Sequence, residues 1–348
     1  MTWPTLRLPI VPPYPPMEAK LVRDLPADGG FQYEPKWDGF RCLAFRDGEA
    51  VALQSKAGQP LGRYFPEVSD ALLGLGARRF VLDGELVIPA EGGFAFEPLL
   101  LRIHPAASRV AKLAAESPAA VLAFDLLVDD DGRALADRPL SERRDALEAF
   151  AARHLSEGSI RLSPMTRDRA QAEGWFTSAR GVDGVVAKRL AEPYRSGERA
   201  MQKVKRRRTV DCVVAGFRWA MTAEGPTGEI GSLLLGLYGD DGLLHYVGHT
   251  SSFSREERRR VTERFLRLRG GTGFTGEAPG GPSRWARGRS TEWEPLAPTT
   301  VVEVEYHHAS GGRFRHGTRL LRYRPDKDPR ACTWEQVAPA TAGPGPIE

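Results

Sequence analysis

The sequence has few of the residues that build disulfide frameworks or metal clusters. Its 348 residues include three cysteines and seven histidines. Cys42, Cys212 and Cys332 lie far apart and are odd in number, which argues against a disulfide framework and against a zinc site. His307 and His308 are neighbours on a predicted strand, where successive side chains point to opposite faces and do not readily ligate one ion. Disulfide-rich and zinc-cluster classes are therefore excluded.

Long apolar stretches and phosphate-binding loops are also missing. No run approaches the ~20 apolar residues that span a bilayer, and the N-terminus, rich in proline, lacks a signal-peptide core. The sequence also has no glycine-rich P-loop. With 41% hydrophobic and 27% charged residues, the composition is typical of a globular protein. We therefore expect a monomeric, cytoplasmic protein that does not bind membranes.

Charge divides the chain into two parts. Residues 201–330 carry 23 Lys/Arg against 15 Asp/Glu, a net of +8, whereas residues 1–200 carry 26 against 28, a net of −2. The composition shifts at the basic run 205–208, so we predict two domains, 1–206 and 207–348. A basic second domain is suited to binding a polyanion; a solvated basic face without a partner is the alternative.

Hydrophobic periodicity predicts a mixed α+β first domain. Strands are predicted within Phe31–Gln54, with a hairpin turn at Asp47-Gly48, and at Phe80–Ile88, Val121–Val128, Val182–Arg189 and Met201–Arg206. Helices are predicted at Arg63–Leu75, Leu99–Glu116 with an interruption at Pro105, Ser141–His154 with Ser141 as the N-cap, and Asp168–Ala179. The proline-rich residues 1–16 are predicted to form an extended lead-in segment.

The second domain is predicted to be mostly β. Three strands are followed by one helix and two further strands: Val210–Trp219, Ile230–Tyr238, Leu243–Gly248, the helix Ser254–Arg269, Thr300–His308 and Arg313–Tyr323. This order is typical of an OB-type β-barrel, an architecture that binds nucleic acids. Another small β-barrel is the alternative.

The stretch around Lys36 carries the first chemical signal. The lysine is followed by Asp38, Gly39 and Arg41, and aromatic residues surround it in the sequence. Aromatic neighbours can bury the lysine stem and reduce the cost of a neutral amine, while the arginine offers a fork for a phosphate. Considered alone, the stretch is better explained as a strand followed by a turn.

Four further groups of polar residues lie at the ends of predicted strands. They are Asp83-Gly84-Glu85, Phe124-Asp125, Asp183-Gly184 in a strand that ends at Lys188, and Lys203-Val204-Lys205. A deprotonated lysine is a nucleophile, and carboxylates hold Mg²⁺ against substrate phosphates. An aromatic ring can stack on a purine, and lysines neutralise phosphates and a pyrophosphate leaving group. Together these groups favour nucleotidyl transfer through a lysine phosphoramidate over phosphate binding without covalent chemistry.

The order and spacing of these motifs resemble the covalent nucleotidyltransferase superfamily, and specifically the small ATP-dependent DNA ligases of bacteria, of the stand-alone ligase C type. The resemblance covers nearly the whole chain. It implies an α+β adenylation domain followed by an OB-fold domain. It also implies that Lys36, in the lysine-x-aspartate-glycine motif, is the catalytic nucleophile.

The resemblance assigns further roles around the nucleotide. Glu34 corresponds to the residue that recognises adenine, and Phe124 to the aromatic residue that stacks on it. The residues expected to bind ATP are Glu34, Arg41, Lys56, Glu85, Phe124, Lys203 and Lys205. Glu85 and Asp183 are expected to bind Mg²⁺ or Mn²⁺, and Arg324, Asp326 and Lys327 to orient the pyrophosphate. Lys56 and Asp183 depart from the family's motifs, where arginine and glutamate are usual.

The implied reaction joins DNA in three steps. The OB domain closes and Lys36 attacks the α-phosphate of ATP; AMP then passes to the 5′-phosphate at a nick; finally the 3′-hydroxyl attacks and AMP leaves. The expected partners are nicked duplex DNA and DNA-repair proteins, with a role in repair. The loop 270–288, with Arg284, Arg287 and Arg289, is a candidate contact for the DNA backbone, or else a surface loop without that role.

Two other functions are compatible with parts of this pattern. An RNA ligase or a capping-type guanylyltransferase shares the nucleophile motif, and the choice of ATP or GTP separates the capping enzyme from a ligase. A nucleic-acid-binding protein without catalytic activity would use the basic barrel alone. That protein would transfer no label from ATP, and Lys36→Ala would only weaken its binding.

Overall fold

The computed structural model describes residues 3–27, 29–155, 158–176, 181–206, 208–280, 292–307, 309–315 and 317–337. These residues belong to two compact units, Met1–Arg206 and Arg207–Pro339. No helix within the described ranges is both long and apolar enough to cross a membrane.

Two sheets form the framework of the first unit. One sheet has the order β1-β10-β9-β2, and the other has the order β4-β3-β5-β7-β8, with β6 paired to β5. The strands are β1 (Ala19–Leu21), β2 (Phe31–Trp37), β3 (Phe40–Asp47), β4 (Ala50–Ser55), β5 (Arg79–Ala90), β6 (Gly93–Ala95), β7 (Ala120–Val128), β8 (Ile160–Leu162), β9 (Val182–Arg189) and β10 (Met201–Lys205).

The core of this unit lies between and around the two sheets. Every residue of β7 is buried, which explains why its sequence is apolar on both faces rather than alternating. One apolar cluster combines Phe31 and Val185 of the first sheet with Val87 and Leu122 of the second. The two sheets therefore pack face to face, and polar side chains at their strand ends lie beside this core.

Five helices are described in the first unit: α1 (Pro66–Gly74), α2 (Glu97–Arg102), α3 (Ala107–Glu116), α4 (Leu140–His154) and α5 (Arg169–Gly174). The predicted break near Pro105 separates α2 from α3, because proline removes a helix hydrogen bond. The prediction of Ser141 as an N-cap is wrong: α4 begins at Leu140, and Pro139 precedes it without a side-chain cap. Asp168 caps α5 by accepting a hydrogen bond from the amide of Ala170.

The second unit is built on one twisted sheet of order β13-β12-β11-β14-β17. Its described elements are β11 (Arg208–Thr222), β12 (Gly225–Tyr238), β13 (Leu244–Thr250), α6 (Arg255–Phe265), β14 (Glu294–Tyr306), β15 (Ala309–Ser310), β16 (Arg313–Phe314) and β17 (Arg319–Tyr323). The order of three strands, a helix and further strands is the predicted one. The last predicted strand is split into β16 and β17.

The edges of this sheet approach each other at Thr250 and Thr318. An isolated parallel bridge joins the two residues, and the Thr250 hydroxyl donates to the Thr318 carbonyl at 2.9 Å. Buried residues from β11, β12, β13 and β14 form a single apolar cluster with α6, and the partly buried Leu320 and Tyr323 of β17 pack against it. The strands thus curl around one core as in an OB fold, although the described ladders do not close the ring beyond this bridge. Arg284, Arg287 and Arg289 lie outside the described residues.

Candidate active site

A pocket of about 520 Å³ opens in the first unit, beside the ends of its strands. It is lined in part by seven of the residues that the sequence predicts to act on the nucleotide: Glu34, Lys36, Arg41, Lys56, Glu85, Phe124 and Lys203. One wall is formed by Pro16 at the end of the lead-in segment, by Met17 and Glu18 after it, and by Ala19 of β1. The volume lies in the range of small-molecule and cofactor sites.

Lys36 is held by an ion pair at this pocket. Its Nζ lies 2.9 Å from Oδ2 of Asp183, which also lies 3.3 Å from Nζ of Lys205. Burial lowers the pKa of Lys36, but the carboxylate of Asp183 more than offsets this effect, so the pKa lies above its ordinary value. The sequence led us to expect an environment that favours a neutral amine, and the structure shows the opposite for the protein without nucleotide.

An irregularity between β2 and β9 brings Lys36 and Asp183 together. The register slips between the pairs Pro35–Val185 and Trp37–Val182. Such a bulge changes the direction in which side chains point. Gly184, next to Asp183, has φ +150°, and a Cβ there would lie 2.1 Å from the Val204 carbonyl oxygen. The glycine of the Asp183-Gly184 motif is therefore required by close backbone contact with β10.

Arg41 is fixed by a carboxylate of the protein. Its Nε and Nη2 donate to the two oxygens of Asp83 at 2.5 and 2.6 Å, and the Tyr194 hydroxyl donates to Asp83 Oδ2 at 2.6 Å. The guanidinium also lies 4.6 Å from the centre of the Phe124 ring. The edge of Arg41 that could grip a phosphate in a bidentate manner is thus occupied by Asp83 in this state.

Glu34 forms a buried ion pair that the sequence analysis did not identify. Nζ of Lys188 lies 2.7 Å from Oε2 of Glu34, and both side chains are less than 5% exposed. Gln32 donates to the other carboxylate oxygen at 2.7 Å, and the Lys188 ammonium lies 4.5 Å from the centre of the Phe124 ring. The sequence offered one signal for this pair, which is a lysine near the end of a strand whose preceding residues are mostly apolar.

Glu85 is the carboxylate best suited to a cation. It accepts a hydrogen bond from the Gly39 amide at 3.2 Å, and burial raises its pKa to about 7 against the opposing effect of Arg41 and Lys36. A cation beside it would stabilise the ionised form. No cluster of three or more potential ligands occurs among the described residues. Proteins often bind Mg²⁺ through only one or two carboxylates together with substrate phosphates. Glu85 and Asp183 fit such a site.

Lys56 and Lys203 add positive charge to the rim of the pocket. Lys56 pairs with Oε2 of Glu18 at 2.9 Å and is more than half exposed. Burial lowers the pKa of Lys203, and the nearby charges of Lys36 and Lys205 lower it further. A group of cations close enough to lower the pKa of Lys203 is suited to binding an anion with several negative charges.

Arg324, Asp326 and Lys327 belong to the second unit, where they form a cluster around Asp211. Nη1 of Arg324 donates to both Asp211 oxygens at 3.0 and 2.9 Å, and Nζ of Lys327 donates to Oδ2 at 2.8 Å. Lys327 also donates to Gln336 at 3.0 Å. The sequence analysis identified neither Asp211 nor Gln336, because they are distant in the chain from the motif.

A half-buried lysine among further lysines and carboxylates, on paired α+β sheets that precede an OB-type unit, is the arrangement of a covalent nucleotidyltransferase. Comparison with known families defines the class further. Residues 16–205 match the ATP dependent DNA ligase domain, and residues 226–327 match the ATP dependent DNA ligase C terminal region. The chain belongs to the ATP-dependent DNA ligase family.

Relatives of known name support this assignment. The chain is 44% identical to DNA ligase C2 of Mycolicibacterium smegmatis, over 95% of this chain and 96% of the relative. It is 42% identical to DNA ligase C of Mycobacterium tuberculosis, with the same coverage. A solved structure from a study of Lig E DNA ligases covers 89% of this chain and 99% of its own, with a TM-score of 0.55 and 18% identity, and supports the fold alone. The prediction of an ATP-dependent, ligase C-like enzyme is confirmed.

Proposed function

We propose that this protein seals nicks in duplex DNA through a lysyl-AMP intermediate on Lys36. The observation that carries the proposal is the placement of Lys36 in a pocket of nucleotide size, with Asp183 at its Nζ and Lys205 paired to the same carboxylate oxygen. The Nζ lone pair would form a bond to the α-phosphorus of ATP while the bond to the bridging oxygen breaks and pyrophosphate leaves. Because Lys36 is protonated in the resting ion pair, attack requires that the amine first lose its proton and its contact with Asp183.

The other pocket residues would bind and orient the nucleotide. Glu34, fixed by Lys188, presents a carboxylate for the amino group of adenine, and Phe124 presents an aromatic surface. Arg41, Lys56, Lys203 and Lys205 supply positive charge for the phosphates. Mg²⁺ or Mn²⁺, held by Glu85 and Asp183 together with phosphate oxygens, would neutralise charge on those phosphates. Arg324, Asp326 and Lys327 of the second unit would orient the pyrophosphate.

Two further steps complete the reaction. The AMP group would pass from Lys36 to the 5′-phosphate at the nick, which restores the amine, and the 3′-hydroxyl would then attack that phosphate and release AMP. Positioning and charge neutralisation carry most of the work in such transfers. We also propose that the domain boundary lies at Arg206, that the enzyme acts as a cytoplasmic monomer, and that its role is DNA repair together with other repair proteins.

Sealing of a nick tests this function. The substrate is a duplex with one 5′-phosphorylated nick, incubated with ATP and Mg²⁺, and the product is a joined strand on a denaturing gel. Wild-type protein and Lys20→Ala, a change of a lysine on β1 outside the set of residues that line the pocket, should seal the nick. Lys36→Ala should not. Sealing by Lys36→Ala, activity with GTP in place of ATP, or a strict requirement for an RNA strand would contradict the proposal.

A further inference from the structure

Asp211 lies between the two cations of the Arg324–Lys327 motif. It belongs to β11, more than one hundred residues before them in the chain, and it is 8% exposed. Two cations on one short turn repel each other, and a shared carboxylate removes that repulsion. Both partners reach Asp211 within 3.0 Å. The arrangement thus depends on tertiary structure and not on the motif itself.

The partners of Arg324 occupy different edges of its guanidinium. Nη1 points to Asp211, whereas Nε and Nη2 donate to Asp326 at 3.0 and 2.9 Å. Asp326 is 63% exposed, so the Nε/Nη2 edge lies on the solvent side of the cluster. This is the edge with which arginine binds carboxylates and phosphates through two parallel hydrogen bonds.

Lys327 is held from two sides. Its ammonium donates to Oδ2 of Asp211 and to the side-chain oxygen of Gln336, and the Gln336 amide nitrogen donates to the Asp211 carbonyl at 3.4 Å. An ammonium has three protons, so two contacts fix its direction while one proton stays available for an anion. Without such contacts, a lysine side chain loses much rotational freedom when it binds, which weakens binding.

We propose that Asp211 is a positioning residue for the adenylation step. It holds Nη1 of Arg324 and Nζ of Lys327 in fixed directions, so that the solvent-side edge of the arginine, once released from Asp326, and the remaining lysine proton are presented together to the pyrophosphate part of ATP. This inference rests on the proposed function, because it assumes that the motif binds pyrophosphate. It assigns to Asp211 no contact with the reacting atoms.

The test separates adenylation from sealing in the full-length protein. Formation of lysyl-AMP from labelled ATP is measured first, and then sealing of a nick that already carries AMP on its 5′-phosphate, without ATP. Asp211→Asn should slow lysyl-AMP formation about tenfold or more and leave sealing of the adenylated nick within about threefold. Gln336→Ala, which removes only the neutral contact to Lys327, should slow the same step by a smaller factor.

The matched control is Glu303→Gln. Glu303 is paired in register with Asp211 on the neighbouring strand and binds Arg322, so its loss breaks a comparable ion pair on the same sheet. Both steps should stay within about twofold of wild type. Equal loss of both steps in Asp211→Asn, with a lower melting temperature, would show a structural role only and overturn the inference. Lysyl-AMP formation at the wild-type rate would also overturn it, whereas absence of lysyl-AMP in the wild type would overturn the proposed function instead.

Discussion

Both units pair functional cations with carboxylates, and the units differ in how deeply those carboxylates are buried. In the first unit, the Glu34–Lys188 pair is almost completely buried, and the Asp83 carboxylate that binds Arg41 has no exposed surface. In the second unit, Arg324 and Lys327 are each 22% exposed, and Asp326 faces solvent. The buried carboxylates of the first unit fix the shape of a pocket, whereas the cluster of the second unit combines the buried Asp211 with the exposed Asp326 and keeps its cations accessible to an anion.

The largest change in the free energy of unfolding is expected when a buried ion pair loses one of its partners. Lys188→Met would leave the Glu34 carboxylate buried and uncompensated, and we expect the free energy of unfolding to fall by about 3–5 kcal/mol. The same change at Lys327 should cost about 1 kcal/mol or less, because Arg324 still neutralises the Asp211 carboxylate. Urea unfolding of both variants compares them directly.

A double variant tests the cause of the Lys188 effect. Glu34→Gln combined with Lys188→Met removes both charges, and most of the lost stability should return, because the cost arises from the unpaired carboxylate. If the double variant is as unstable as Lys188→Met, lost packing rather than charge explains the difference between the two units.

Replacement of Glu85 should have an intermediate effect on the free energy of unfolding, and this effect should depend on pH. Its pKa is raised from 4.5 to about 7 in the folded protein, so the folded state binds more protons than the unfolded state between these values. Stability contributed by the protonated form is therefore lost as pH rises from about 4.5 to about 7. Glu85→Gln should match wild type below pH ~4.5 and be more stable by about 1–3 kcal/mol at pH ~8. Urea unfolding without nucleotide or metal measures this difference; a constant difference at all pH values would contradict it.

Asp183 should control the titration of Lys36. Because its carboxylate raises the pKa of Lys36 against the effect of burial, Asp183→Asn should shift that titration to lower pH. The rate at which an amine-specific reagent labels Lys36, followed by peptide mapping across a pH series without nucleotide, reports the shift. Asp326→Asn, in the second unit, should leave this titration unchanged. A shift to higher pH in Asp183→Asn would show that another group governs Lys36.

The smallest change in the free energy of unfolding is expected for the Glu303–Arg322 pair, beside the Asp211 cluster. Glu303 and Arg322 form an ion pair on the surface of the second unit, and Arg322 is 64% exposed. Glu303→Gln should change the free energy of unfolding by less than about 1 kcal/mol, as is usual for exposed pairs. If urea unfolding shows a larger loss in the free energy of unfolding, this pair stabilises the protein as much as a buried pair does. Burial would then not explain the difference between the pairs.

The sequence predicted strands well where local signals agreed. The Asp47-Gly48 turn lies between β3 and β4, and the predicted strand Phe80–Ile88 lies within β5. Short strands such as β6 and β8 were missed, because three residues carry too little periodicity to detect. The end of α4 was predicted correctly at His154. Its start was not, because serine is a preferred N-cap residue and Ser141 was therefore assigned as the cap.

The site was predicted as a set of residues but not as a set of contacts. The motif residues of the first unit lie at one pocket or, for Asp183 and Lys205, next to Lys36. What sequence could not show is which carboxylate each cation binds at rest. The partners Asp83 of Arg41, Lys188 of Glu34 and Asp211 of Arg324 come from other strands, and only strand register brings them together.

Peptide mapping of the adenylated protein tests the central claim most directly. The protein is incubated with ATP and Mg²⁺, digested, and analysed by mass spectrometry for a peptide that carries one AMP. We expect the modification on Lys36 and its loss in Lys36→Arg. AMP on Lys203 or Lys205, or no adenylated peptide in a preparation that seals nicked DNA, would contradict the assignment of Lys36 as the nucleophile.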